Sequence, residues 1–268
     1  MNADQLLERT QWDTFWVPPD TAVVDRPELL FTAHPGGAPM LNAVHRVRAH
    51  DRALDPLLAE VTDAHGACTS RLAVNPQNDG PGLRAALARW GYAPTQRHDG
   101  YVLGTDAARP PVRAGLVVRR VADLTDLRAA LGVAHRAFGG DDAPDEELLP
   151  TWLSGCADPA GRVHRFVVFD RDGKPLAAAG MTVFPDLRFA FLWAGGTVPE
   201  ARGRGAYSAL VTARLHQARA LGATAAGLYA MLETSAPIVA AQGFVQHGPM
   251  TFWDRPAPGA QGAGTDGG

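Results

Sequence analysis

From residue 40 to 48 apolar and polar side chains alternate in part, which predicts a half-buried strand, and residues 54–65 then take up helical apolar spacing. Residues 68–74 read as a second strand. Residues 82–90 put Leu83, Leu87 and Trp90 on one helical face, Gly91 supplies a stop, and a strand follows at 101–103. Residues 104–111 have no period and carry the Gly and Pro that break both regular structures, so a linker is expected over 105–114. Beyond it, 116–121 is strand-like, and Asp123 can cap a helix with a stripe of Leu124, Leu127, Leu131 and Phe138. A second helix is expected at 146–153, with Trp152 in the core. Three strands follow, at 165–169, at 176–184 after an Asp172-Gly173 turn, and at 188–197. A helix over 205–221 aligns Tyr207, Val211, Leu215 and Ala218 and stops at Gly222. A strand at 225–230, a short helix at 235–241 and a last strand at 245–253 complete the pattern, and a Pro- and Gly-rich tail is expected over 255–268.

This order gives an α/β (α+β) chain. At 268 residues it fits two domains better than one, and the boundaries read as 1–104, a linker at 105–114, and 115–254. A net charge of −3 argues against a nucleic-acid partner, which would leave a basic face. No run approaches the roughly 18 apolar residues of a membrane span, and the first residues lack the basic-then-apolar order of a signal peptide, so no membrane partner and a cytoplasmic location are expected. Cys68 and Cys156 stand far apart with no companion at metal spacing; they are expected to be buried spectators, and no metal site is expected.

The stretch with chemistry in it runs from Thr197 to Ser208, a strand end passing through Gly203 and Gly205 into a helix. Glycines admit close backbone approach, and free N–H groups at a helix start point outward with the positive end of the helix dipole behind them. Such a nest suits a pyrophosphate, and Arg202 and Arg204 add charge beside it. Gly195-Gly196 inside a strand is a second signal, marking a bulge or a close backbone approach.

Arg202-x-x-Gly205, reached through Pro199-Glu200-Ala201, resembles the Arg/Gln-x-x-Gly-x-Gly/Ala signature of the GNAT superfamily of acyl-CoA N-acyltransferases, with Tyr207 departing from the small sixth residue. The element order over about 140 residues and the Gln242-Gly243-Phe244 turn carry the same resemblance. It implies two GNAT-like domains, each a mixed, mostly antiparallel sheet flanked by helices, the first degenerate. It also implies acetyl-CoA (or another acyl-CoA) as cofactor. Gly195, Gly196 and Thr197 would meet the pantetheine, while Arg202, Gly203, Arg204, Gly205, Ala206, Tyr207 and Ser208 would hold the pyrophosphate.

The implied reaction is N-acetyl transfer to the amine of a small molecule. The family's usual base and acid positions fall on Phe191 and Val239, neither of which can exchange a proton. The candidates nearby are Tyr229, Glu233, Ser235 and Tyr207, of which Glu233 would accept a proton directly or through water and Tyr229 would donate one. The acidic run 141–147 borders the place where the family meets its acceptor; it would attract a cationic amine or simply cap a helix. Arg188 and Trp193 are further candidates for lining the acceptor pocket. His135 and His164 read as packing or surface residues. The N-terminal half has only His50-Asp51-Arg52-Ala53 between its central strand and helix, with no glycine nest, so no cofactor is expected there. Two rival readings remain open: a silent acyl-CoA-binding protein, and decarboxylation or hydrolysis of an acyl thioester.

Overall fold

The computed structural model describes residues 1–139 and 146–259. Residues 141–145 of the acidic run and 260–268 of the expected tail lie outside them.

Two compact units emerge: Met1–Gly100 with Tyr229–Pro237 and the chain from Gln246 on, and Tyr101–Leu228 with Ile238–Val245. This division differs from the linear expectation at both ends of the second domain. Residues 105–114, expected as a linker, lie inside the second unit, where Thr105 is buried and its Oγ1 donates to Ala223 O at 2.8 Å. Residues 246–254 cluster with the first unit.

In the first unit, α1 (Ala3–Arg9) opens on a capping box: Asn2 Oδ1 accepts from the Gln5 N–H, and Gln5 Oε1 from the Asn2 N–H. Strands β1 (Ala22–Arg26), β2 (Leu29–Ala33) and β3 (Ala43–Val47) pair antiparallel in order. Helix α2 (Asp51–His65) returns the chain to β4 (Ser70–Val74), which pairs parallel to β3. Helix α3 (Pro81–Arg89) leads to β5 (Ala93–Gly104), which begins eight residues before its expected start. Residues 93–97 are all exposed and carry no alternation that burial would have imposed. Leu54, Leu58 and Val61 of α2 and Leu83 and Leu87 of α3 close a core over Leu29, Phe31, Val44 and Leu72.

The second unit repeats this plan. Strands β6 (Val117–Arg120), β7 (Val163–Phe169), β8 (Pro175–Phe184) and β9 (Phe189–Thr197) pair antiparallel in order. Helix α6 (Ala206–Ala220) crosses to β10 (Ala225–Met231), whose residues Ala225–Gly227 pair parallel to Phe189–Phe191 of β9. Antiparallel strands, a crossover helix and a parallel strand thus occur in both halves, the two GNAT-like domains implied by the sequence. Helix α4 (Leu124–Phe138) is capped by Asp123, which accepts from the Asp126 N–H at 2.8 Å. Its buried residues are Asp126, Leu127, Ala130 and Val133, while Phe138 at the end of the expected stripe is exposed. Helix α5 (Leu149–Ser154) is shorter than expected and buries Leu149, so Trp152, expected in the core, faces outward. Cys156 is buried as expected, whereas Cys68 is only half-buried and its Sγ lies 3.8 Å from His34 O.

After α7 (Ala236–Ala241), β11 (Val245–Arg255) pairs antiparallel with β4, from Thr251 against Val74 to Arg255 against Ser70. Arg71 and Asp254 close that pairing with two hydrogen bonds of 2.8 and 2.7 Å. The edge of β4 in the first half is therefore completed by the chain's last strand.

Candidate cofactor site

The loop from β9 to α6 turns on two glycines in the left-handed region, Gly203 at φ +75° and Gly205 at φ +89°, where a Cβ is strained. The Arg202 and Arg204 N–H groups are spent on turns, to Pro199 O and Ala201 O at 3.3 Å each. The first helical bond of α6 runs from the Ala209 N–H to Gly205 O, so the N–H groups of Ala206, Tyr207 and Ser208 precede it and point out of the helix start. Of the expected run of donors from Gly203 to Ser208, Arg204 therefore contributes its side chain and not its backbone. Arg202 and Arg204 are exposed. Thr197, at the end of β9, has a buried Oγ1 with no hydrogen-bond partner among the described residues.

Several side chains hold this loop. Glu200 bridges Arg136 of α4 and Lys174, the single lysine of the chain, which lies 3.3 Å away. Its carboxyl sits below the usual range, through a backbone hydrogen bond within its own residue and then these two cations. Arg109 reaches Gln242 Oε1 at 2.5 Å and Ser208 Oγ at 3.5 Å, tying the expected linker to α6 and to the glycine turn after α7.

The two strand glycines sit at an irregularity. Ladder register shifts between Ala178 and Gly180 on β8, and Ala194 opposite stands at φ 47°. Each glycine also has a neighbour that excludes a side chain. A Cβ on Gly196 would lie 2.8 Å from Ala137 Cβ of α4, and one on Gly195 would lie 3.0 Å from the Tyr207 ring of α6. Tyr207, the departure from the signature, thus occupies space that Gly195 vacates. Helix packing accounts for the missing side chains, and the parallel pairing of β9 with β10 covers Phe189–Phe191, short of these glycines.

Sequence reasoning missed Arg214. Two turns along α6, it is fully buried, with Nε near Leu210 O (3.3 Å) and Nη1 near Gly180 O (3.4 Å), while Nη2 has no partner among the described residues. Burial pulls its pKa down, and the neighbouring Tyr207 opposes this. Only its place on the apolar side of α6, in register with Leu210 and Val211, hinted at burial. Trp193 was foreseen, but its setting was not. Its Nε1 donates to Thr182 Oγ1 at 3.0 Å, its ring covers Gly180, and the Arg165 guanidinium lies 4.8 Å above it. Arg188 is exposed in the left-handed turn before β9. His164 is buried with Nε2 on Gly161 O, and His135 is exposed.

The proton-transfer candidates belong to the first unit, whereas the glycine loop belongs to the second. Glu233 is exposed. Tyr229 is half-buried, and burial followed by the charges of Glu8 and Asp4 pushes its phenol well above the ordinary value. A phenol ordinarily titrates near 10, so with its pKa raised further Tyr229 keeps its proton at neutral pH. Phe191 is half-buried and Val239 buried, as befits apolar residues.

Residues 126–248 match the model of the acetyltransferase (GNAT) family. Among solved structures, the chain is similar to a GCN5-related N-acetyltransferase from Kribbella flavida, at 20% identity and a TM-score of 0.67 over 88% of this chain and 90% of that one. A GCN5-related N-acetyltransferase from Sphaerobacter thermophilus aligns at 18% identity and a TM-score of 0.61, over 88% and 77%. A tandem GNAT protein from the clavulanic acid biosynthesis pathway aligns at 16% and 0.58, over 94% and 87%. At such identities the likeness is one of fold. No curated protein matches the chain.

Proposed function

We propose, from the match of residues 126–248 to the model of the acetyltransferase (GNAT) family, that the chain is an acetyl-CoA-dependent N-acetyltransferase acting on the amine of a small molecule. The observation that carries this reading is the loop at 202–208, where two left-handed glycines and three outward N–H groups meet two exposed arginines. Acetyl-CoA, when bound, supplies the activated acyl thioester. The chain's own part is to hold phosphates on the Gly203, Gly205, Ala206, Tyr207 and Ser208 N–H groups and on Arg202 and Arg204. Thr197 Oγ1, buried and unpartnered, is suited to a polar group of the same ligand.

Glu233, an exposed carboxylate, is the candidate proton acceptor, and Tyr229, whose phenol stays protonated, the candidate donor. Holding the amine in place supplies a further large part of the rate.

Phe191 and Val239 keep a second reading in play, that of an acyl-CoA-binding protein without turnover. Calorimetric titration with acetyl-CoA, followed by assay of free thiol with a panel of small amines, separates them. Binding with amine-dependent thiol release supports the transferase, and binding without it supports the silent protein. Thiol release without an amine points to thioester hydrolysis, and no binding removes all three.

A further inference from the structure

Beside the glycine loop lies a cleft of about 280 Å³, two of whose three cations the pyrophosphate reading does not use. Arg113, Arg171 and Arg204 line it, together with Asp170 and Asp172. The stem of Arg113 lies over Gly205, so that a Cβ there would meet its Cδ at 2.8 Å, and its Nη1 lies 3.5 Å from Gly203 O. The stem of Arg171 lies over Gly115, where a Cβ would meet its Nε at 2.8 Å. Gly115 itself stands at φ +89°. Two glycines thus make room for two arginines at the edge of the loop.

These three guanidiniums have no ion pair among the described residues, whereas Arg26, Arg46, Arg48, Arg71, Arg84, Arg89, Arg119, Arg128 and Arg136 all have one. Other arginines, Arg188 and Arg202 among them, also lack an ion pair among the described residues, but Arg113, Arg171 and Arg204 line one cleft together. Asp170 and Asp172 leave this lining with a net charge of +1, three guanidiniums against two carboxylates, and Asp170 Oδ1 is held in the β7–β8 turn by the Asp172 and Lys174 N–H groups. Unpaired guanidiniums around an open cleft are a site for an anion with several oxygens, a phosphate monoester above all.

We propose that Arg113 and Arg171, with Arg204 shared, form a second anion subsite that takes the ribose 3′-phosphate of CoA, so that the chain discriminates CoA from its 3′-dephospho form. The inference rests on the cofactor reading above, and it assigns residues outside the glycine loop.

The test is calorimetric titration of the whole chain with acetyl-CoA and with acetyl-3′-dephospho-CoA, at one fixed salt concentration, for the parent and for Arg171→Gln. Arg171 is exposed on a hairpin, so this variant folds. In the parent, the dephospho ligand is expected to bind about ten- to a hundredfold more weakly, the range of one or two charge-assisted hydrogen bonds. In Arg171→Gln, acetyl-CoA should weaken several-fold while the dephospho ligand is unchanged, and the salt dependence of acetyl-CoA binding should shrink. Equal parent affinities for the two ligands overturn the subsite and leave the cofactor reading standing. An equal loss for both ligands in Arg171→Gln also overturns it, since the arginine would then act as a general field. Binding of neither ligand to the parent removes the cofactor reading and this inference with it.

Discussion

Replacing Gly180 by alanine puts a methyl group where the ring of Trp193 now sits, at 2.3 Å from its nearest atoms. The indole cannot swing away freely, because its Nε1 is held on Thr182 Oγ1 at 3.0 Å and Arg165 lies over it. Displacing it loses a hydrogen bond of about 1 kcal/mol and a cation–π contact of about 0.5–1 kcal/mol, with repacking strain of about 1–3 kcal/mol where the ring stays. Since the ring can relieve strain only by giving up contacts, these losses partly exclude one another, and a net destabilisation of about 2–3 kcal/mol is expected. The same alanine should cost almost nothing once Trp193 is leucine, because Gly180 is not at positive φ and alanine is the better strand residue. The assay is urea unfolding of the parent, Gly180→Ala, Trp193→Leu and the double variant, read as a coupling energy at constant m-value. A coupling below about 0.5 kcal/mol, the scatter expected of independent sites, would refute the argument.

Gly205→Glu is expected to abolish acetyl-CoA binding in calorimetry, since a side chain and a negative charge would enter the loop at φ +89°; a folded variant that binds as tightly as the parent would remove the loop from the site. Glu233→Gln should lower turnover by about 10²- to 10⁴-fold with nearly unchanged cofactor affinity, and the deficit should narrow as pH rises towards the acceptor amine's own pKa. Full activity at neutral pH would return Glu233 to an ordinary surface charge. In the first unit, His65 Nε2 lies on Thr32 O at 2.8 Å and Nδ1 on Ser70 Oγ at 2.6 Å, and burial lowers its pKa, like that of His45, from 6.5 to about 4. The unfolded chain therefore binds more protons between these values, so stability is complete above pH 6.5 and is lost as pH falls towards 4, by on the order of 1–2 kcal/mol for His65 at pH 5. Denaturant unfolding at pH 7 and 5 checks this, and His65→Asn should flatten the difference.

Much of the second unit was legible because each signal there was local. Asp123 caps through its own third neighbour, Gly222 ends α6 at φ +86°, and the Asp172-Gly173 turn joins β7 to β8 as read. The strand–glycine–helix passage at 197–208 needed only adjacent residues. What stayed hidden depended on partners far away in sequence. Phe138 and Trp152 have the composition of core residues, yet both remain exposed. Gly180 carries no hint that an indole thirteen residues later lies across it, and nothing in residues 104–111 announces that Arg109 docks on Gln242. Strands β1 and β2 escaped because residues 22–33 offer an exposed strand and a continuous apolar run rather than alternation. The same limit hid the partner of β11, which sequence order assigns to its own half.

That strand sets a timetable for synthesis. A ribosome releases β4 long before it reaches residues 245–255, so during translation the edge of β4 between Ser70 and Val74 waits without its antiparallel partner. Residues 101–228, by contrast, are complete in the nascent chain before the last strand exists. The half made first is therefore the half finished last, and until then it presents an open ladder to any other extended chain nearby. A fragment ending near residue 104 is frozen at that stage: it ends before β11 and keeps the bare edge for good.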